Sequence, residues 1–276
     1  MKNSNRLLRL LPDLVLVLMA AVVLFPVFYG LMGAFKTPQE FSSYPPTLFP
    51  ESFRNLDNFR YVFDMTPMLR YYLNSLIVAT LSSTVRMFLA VFAAYAFVFY
   101  RFPGHRFFFL LMLTTMMLPP DVLVIANYQT VSGMGLLDTY LGMCIVSFVG
   151  ASQMFMLRQQ FMTSPVALHD AAMLDGCGDF RFIFSVLLPT ARPVLITLFL
   201  QSFLAQWNTY LWPLLVTNRN SMRTVQVGIT MLTTIDATNY EVILAATFVT
   251  MLPTMVVYLI LRKAVSHAMS SGALIS

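Results

Sequence analysis

Six stretches of this chain run for about twenty residues almost without charge: roughly Leu14–Ala34, Leu73–Tyr100, Phe107–Ala126, Thr139–Leu157, Val194–Val216 and Val242–Leu261. Each is near or above the ~20 residues a helix needs to cross a ~30 Å hydrocarbon core. A backbone in lipid must satisfy its own hydrogen bonds, so runs of this length are helices. A transmembrane barrel would instead show alternating strands of about ten residues. Composition agrees: 58% of the residues are hydrophobic and 11% charged, where a soluble domain carries about a quarter charged residues. The expected fold is an all-α integral membrane protein with six transmembrane helices.

The loops set the orientation. Ten loop and tail cations, among them Lys2, Arg101, Arg158, Arg181 and Arg262, fall on the side that holds both termini; six, among them Lys36, Arg60 and Arg219, fall on the other. Most acids lie with the six, from Glu40 to Glu241, Asp121 and Asp236 included. The excess of cations predicts that both termini are cytoplasmic. A net charge of +5 in this setting reads as topology, not as affinity for nucleic acid. The predicted layout is a cytoplasmic tail over 1–13, a first transmembrane helix over 14–34 and an extracytoplasmic loop over 35–72. A core of five transmembrane helices then covers 73–262, with a cytoplasmic loop at 158–193, and a cytoplasmic tail covers 263–276. Prolines at 26, 119, 120, 213 and 253 fall inside or at the ends of spans, where neighbouring helices can re-satisfy the freed backbone. The first run follows Lys2, Arg6 and Arg9 as a signal peptide would, but its length and the lack of a small-residue cleavage site make it a retained span.

One cytoplasmic stretch, "SPVALHDAAMLDGCGDF" (Ser164–Phe180), is too short to span and too well punctuated to be a plain loop. Ser164 is a good N-cap and Pro165 suits the first helical position. Gly176 supplies the left-handed residue that closes many helices. The expected helix, Pro165–Asp175, is about 16 Å long. Leu168, Ala171, Ala172 and Asp175 fall on one face, where alanines permit close approach and Asp170 and Asp175 offer carboxylates to a basic partner. An ordinary cytoplasmic loop packed on its own bundle is the alternative. A second, more apolar helix from about Asp179 to Leu187 is expected to lie on the membrane surface and lead into the fifth span.

The run "DAAMLDGCGDFRFIFSVLLPTARP" resembles the cytoplasmic motif of binding-protein-dependent ABC importer permeases: Glu-Ala-Ala, three residues, Gly, then a run ending in Leu-Pro. The matching positions are Asp170, Ala171, Ala172, Asp175, Gly176, Leu188 and Pro189. "LNSLIVA" (73–79), "AAYAFVFYRFPG" (93–104), "MMLPPDVLVIANY" (116–128), "GLLDTYLGM" (135–143) and "WNTYLWPLLV" (207–216) resemble the carbohydrate branch, in its second, maltose-transporter-like permease. The resemblance runs in order along nearly the whole chain. Asp170 stands where the family's glutamate is usual, and His169 where another acid is frequent. The resemblance implies the type I ABC importer permease fold, with the short helix as a coupling helix in a groove of a separate ATPase subunit. It implies a second homologous permease, two ATP-binding cassette subunits that carry the ATP-Mg, an extracytoplasmic solute-binding protein and a bacterial-type plasma membrane. The solute would be a sugar, an oligosaccharide or glycerol-3-phosphate. "RQQFMTSP" and "MLPPDV" are similar to the glycerol-3-phosphate permeases of that branch.

Polar residues within spans mark a candidate solute pathway. A cation at the bilayer centre costs at least about 2.5–3.5 kcal/mol on insertion scales, so Arg86 is expected to face a cavity, the bundle interior or a partner. A contact with solute and a structural pairing both fit it. Gln206, Trp207, Asn208 and Tyr210 combine aromatic faces with amides, a set that suits a sugar and equally suits interhelical packing. Asn127, Tyr128 and Gln129 could line the outer mouth or form an interfacial aromatic belt. The chain has no phosphate-cradling GxxxxGK[ST], no HExxH or GxSxG and no Cys/His cluster with metal-ligand spacing. No catalytic residue, metal site or cofactor of its own is expected, and His105, His169 and His267 are expected to face solvent. A self-sufficient secondary transporter is the alternative function, and it would favour acids buried deep in the spans. Asp121 and Glu241 lie only at span edges.

Overall fold

In the computed structural model, residues 4–235 and 239–272 are described, and the regular structure among them is helical. Several expectations therefore lie outside the description: Lys2 and the first three residues of the N-terminal tail, Asp236 as an outer acid, and the last four residues of the C-terminal tail. The same holds for the side chain of His267.

The principal helices are α1 (Ser4–Ala34), α2 (Met68–Phe99), α3 (His105–Thr115), α4 (Val124–Gly133), α5 (Ala151–Met162), α6 (Val166–Leu174), α7 (Arg192–Trp207) and α8 (Tyr240–Gly272). Three stretches are long and apolar enough to cross a membrane unbroken: Pro12–Ala34, Met68–Phe99 and Tyr240–Leu259. The count rises to five if two bent pairs each form one span. These are Tyr140–Ser147 with α5, bent by 52°, and Asp179–Thr190 with α7, bent by 84°. The second bend fits a surface helix feeding a span.

The expected span over 107–126 is not one helix. α3 stops at Thr115, a turn follows, Pro120–Leu123 forms a 3-10 segment, and α4 starts at Val124. The cause is Pro119–Pro120. Pro119 is extended (φ −61°, ψ 130°), as a residue before proline tends to be, and proline contributes no N–H. The fifth expected span is also interrupted. α7 ends at Trp207 and Leu211–Val216 resumes after Asn208–Tyr210.

The chain divides into two compact units, Met1–Met68 with Gly228–Leu252, and Leu69–Val227 with Pro253–Ser276. In the first, α1 exposes a continuous apolar surface from Leu14 to Phe28, as a lipid-facing helix does. Its far end is tied down locally: the Asn58 amide donates to Ala34 O at 2.9 Å and Lys36 O at 2.8 Å, and the rings of Phe41 and Tyr240 stack. Lys36 is buried, donates to Thr47 O and lies over the Tyr29 ring.

The second unit is organised along α2, 32 residues long and therefore about 48 Å at 1.5 Å per residue. Near its start, Val78 packs with Met143, Cys144, Trp212 and Val216. Toward its end, Met87, Val91, Ala94 and Tyr95 pack with Met154, Phe161, Phe182 and Leu187. Small residues in that second half, Ala90 and Ala94, let neighbouring helices approach closely.

Candidate functional site

Two features of the second unit qualify: a short helix held out from one end of α2, and a cavity beside its middle.

The short helix is α6. It has nine residues, starting at Val166 rather than at Pro165. Ser164 does not cap it. Pro165 itself is the extended residue at the helix entrance, and Leu168 N donates to Pro165 O at 3.0 Å. The C-terminus closes as the sequence predicts. Gly176 has φ +77°, Cys177 N donates to Ala172 O at 2.9 Å and Gly176 N to Met173 O at 3.0 Å. Those two bonds make the Schellman arrangement, which satisfies carbonyls the helix would otherwise leave free.

The helix is rooted by one side chain above all. His169 stacks on Phe99 with centroids 4.7 Å apart and meets the edge of Phe182 at 5.0 Å. Its Nε2 lies 3.1 Å from the Tyr95 hydroxyl, which donates to Asp179 Oδ1 at 2.6 Å. A tyrosine has one hydroxyl proton. With it given to Asp179, His169 Nε2–H donates to the Tyr95 oxygen. Tyr100 donates to the other oxygen of Asp179. These two hydroxyls, Tyr100 first and then Tyr95, hold the Asp179 carboxyl below the usual carboxylate range. His169 is thus not solvent-facing, and neither is His105, whose Nε2 lies 3.0 Å from Phe97 O while its ring packs on Phe97 and Phe102.

With His169, Ala172 and Met173 turned inward, the outward face is Ala167, Asp170, Ala171 and Leu174, with Leu168 and Asp175 flanking it. The face expected from the sequence is rotated by about one residue, and Ala172 belongs to the packed side. Leu174 is 88% exposed and the Asp170 side chain 71%. An exposed leucine therefore stands at the tip of a firmly rooted helix.

The second feature is a cavity of about 730 Å³ lined by α2, α3, α4, α5, α7 and the segments that interrupt the spans. Arg86 reaches it from α2, Asn127 from α4, Ser152 from α5, and Gln206 and Thr209 from the end of α7. Arg86 Nε donates to Ser147 O at 2.6 Å. That carbonyl is at the break between Tyr140–Ser147 and α5. Gly150 makes the approach possible: a Cβ there would sit 2.8 Å from Arg86 Cδ and 2.3 Å from Gln153 Oε1. Broken helix backbone at membrane depth is tolerated where it lines a cavity, and here the break presents a carbonyl to a cation. Among the described residues no carboxylate lies within ion-pair distance of Arg86. Gln206 is 7% exposed, and its Nε2 has no hydrogen-bond partner.

Of the residues expected along a solute pathway, the structure brings Arg86 and Gln206 together at this cavity. Trp207, Asn208 and Tyr210 do not line it. Trp207 is buried in a stack with Tyr72 and Phe203, and the Asn208 amide donates to Leu204 O at 2.9 Å, closing the end of α7. Trp212 lines the cavity instead. Asn127 lines the cavity while Tyr128 and Gln129 do not, and Ser147 and Ser152 are lining residues that the sequence did not single out.

Sequence reasoning also missed the clasp at the start of α2. Asn74, wholly buried, donates to Ser221 O at 2.8 Å and Arg223 O at 2.9 Å and accepts from Tyr140 at 2.7 Å. Asp138, at φ +57°, accepts from the backbone of Asn218 and Arg219 at 2.7 and 2.9 Å. An amide one residue into an apolar run was the available signal for Asn74.

Residues 86–270 match the family described as binding-protein-dependent transport system inner membrane component. The chain is 32% identical over 271 residues to the sn-glycerol-3-phosphate transport system permease protein UgpE of Pectobacterium atrosepticum, covering 95% of this chain and 96% of that protein. It is 31% identical over 263 residues to the protein of the same name from Brucella abortus, covering 92% and 93%. A solved bacterial ABC transporter involved in the import of the acidic polysaccharide alginate contains a chain of similar fold, with TM-score 0.82, 20% identity and coverage of 95% and 97%.

Proposed function

The chain belongs to the family of binding-protein-dependent transport system inner membrane components, and from that membership we propose that it forms half of the translocation pathway of an ATP-driven importer for a carbohydrate-type solute. Sugars, oligosaccharides and glycerol-3-phosphate are the candidates. The relatives named for sn-glycerol-3-phosphate favour the last. A second permease completes the pore, a solute-binding protein delivers the cargo, and two ATPase subunits with bound ATP-Mg drive the cycle. Both termini and α6 face the cytoplasm in this reading, as the distribution of loop cations favours.

The observation that carries the proposal is α6: a nine-residue helix, closed at its C-terminus and anchored through His169, whose opposite face is unpartnered. Burying Leu174 in a partner groove is worth about 1.5–3 kcal/mol, and Asp170, Ala171 and Asp175 sit beside it. Ala172 and Gly176 shape the helix rather than touch the partner. The root is what makes the helix a lever. A push on α6 passes through His169 into Phe99 and Phe182, and so into α2 and the Asp179–Thr190 segment that leads to α7.

The test is association and uptake. Leu174→Glu and Asp170→Lys should each abolish co-purification of the ATPase subunit and ATP-dependent solute uptake, while the helical circular dichroism of the permease is unchanged. Full uptake in both variants would refute the docking role.

A further inference from the structure

The Arg86 cavity carries an assignment beyond transport of a sugar-type solute. We infer that this chain itself holds an anion-binding subsite within the membrane, in which the guanidinium of Arg86, beside the side-chain amide of Gln206, grips a phosphate monoester or carboxylate on the solute. The inference rests on the importer reading and deepens it.

Three observations combine. The first is an uncompensated charge. Arg86 spends Nε on Ser147 O, and among the described residues its two terminal nitrogens meet no carboxylate and no hydrogen-bond acceptor. A cation at membrane depth is expensive unless something offsets it. The second is a buried, unused donor. Gln206 is nine-tenths buried and lines the same cavity, and its Nε2, itself shielded, has no partner among the described residues; an unmet donor costs free energy that a turn of the amide onto a bound anion would recover. The third is room. About 730 Å³ is ample for a small phosphorylated polyol. Donors left over in a site select acceptors, and a guanidinium prefers a planar or tetrahedral oxyanion.

Asp121 also lines the cavity, but it is exposed and forms no ion pair with Arg86. The Arg86 stem is held in place by Gly150 and by its bond to Ser147 O. Charge and aim are therefore set before a solute arrives, which lowers the cost of binding.

The experiment reads tryptophan fluorescence of the full chain in phosphatidylcholine nanodiscs, because Trp212 borders the cavity. sn-Glycerol-3-phosphate should give a saturable change, and uncharged glycerol none. Arg86→Gln should raise the half-saturating concentration about 10-fold or more, the usual weight of a charge-assisted hydrogen bond, while Arg86→Lys stays within a few-fold of the parent. Gln206→Glu, which sets a carboxylate against the anion, should weaken binding about as much and remains informative should Arg86→Gln not fold. No saturable response from the parent chain, an equal response to glycerol, or unchanged affinity in Arg86→Gln or Gln206→Glu would overturn the subsite. Adding phosphatidylglycerol separates solute from lipid: a signal that answers to that lipid and never to the solute would assign the cation to a headgroup and overturn the inference. Binding is read on the permease alone, so it fails or holds independently of the uptake test on α6.

Discussion

The two ends of α2 are built from different materials. At the Asn74 end every hydrogen bond of the central amide is used, and its partners are backbone carbonyls and a tyrosine hydroxyl. One buried amide spends both its N–H groups on Ser221 and Arg223 carbonyls and accepts from Tyr140, while Ser75 accepts from Val225 N at 2.9 Å. At the Tyr95 end the contacts are aromatic and ionisable: two tyrosines, a histidine and a carboxylate, the last 40% exposed. The first arrangement pins loops to a helix through one amide whose hydrogen bonds are all used. The second pins a helix whose far face stays bare. An end that only closes can be made of fully used hydrogen bonds. Aromatic stacking supplies a stiff root without spending the outward side chains of α6.

The most direct way to break that contrast is Asn74→Ala. It strips the amide from Arg223 O and the acceptor from the Tyr140 hydroxyl, while Ser221 O keeps the bond from Arg70 Nε at 3.2 Å, and each orphaned group costs about 1–3 kcal/mol. A loss of about 3 kcal/mol or more in global stability is expected, measured as thermal or denaturant unfolding in detergent. A change below ~1 kcal/mol would mean that the two ends do not differ in the way described.

His169→Ala comes next. It removes a ring from between Phe99 and Phe182 and should cost about 1–3 kcal/mol, in line with lost aromatic contacts plus a small void. The loss should be local, read as faster hydrogen exchange in 166–175 with the Asn74 end unchanged. His169→Phe separates the two parts of the root. It keeps the stack and drops the bond to Tyr95, so protection of α6 should be largely retained. If Phe behaves like Ala, the hydrogen bond and not the stacking holds the helix.

How much of this was legible follows the same division. α6 could be read from punctuation, because Pro165 and Gly176 act through their own backbone chemistry, whatever surrounds them. Its facing could not be read reliably. Leu168, Ala171, Ala172 and Asp175 share a stripe on an ideal helix, yet the orientation is decided by where His169 finds Phe99, 70 residues away in sequence. Hydropathy made three spans legible as unbroken helices and two more as bent pairs, but not the break within 107–126, since two adjacent prolines in an apolar run permit either a kink or a break. Arg86 and Gln206 stood out as polar groups in apolar runs, and the fold brings them to one cavity. Trp207, equally conspicuous, went to packing: its ring found Tyr72 and Phe203, contacts that no local pattern announces. Asn74 was passed over because one amide in an apolar run reads as glue until its three partners are seen.

The smallest expected effect sharpens the comparison best, because the root at the Tyr95 end includes a carboxylate whose ionised form the fold favours. Asp179 has its carboxyl held below the ordinary carboxylate range by the hydroxyls of Tyr100 and Tyr95. A depressed folded-state value means that the ionised form is the one the fold favours. The stabilisation is therefore fully present above the ordinary aspartate range, near pH 4, and is lost as pH falls through the lower folded-state value. The carboxylate is well exposed, so the gain is modest and screened by solvent. Asp179→Asn keeps the shape and removes the titration. Local stability of 166–182 should then lose its acid-side decline, at the cost of a slightly weaker root at neutral pH. The Asn74 amide and the carbonyls and hydroxyl it bonds change no charge near pH 4, and protection there should be the same in both proteins across that range. An acid-side loss that persists in Asp179→Asn would place the titrating group elsewhere, with Asp170, 3.6 Å from His169 Nδ1, the next residue to replace.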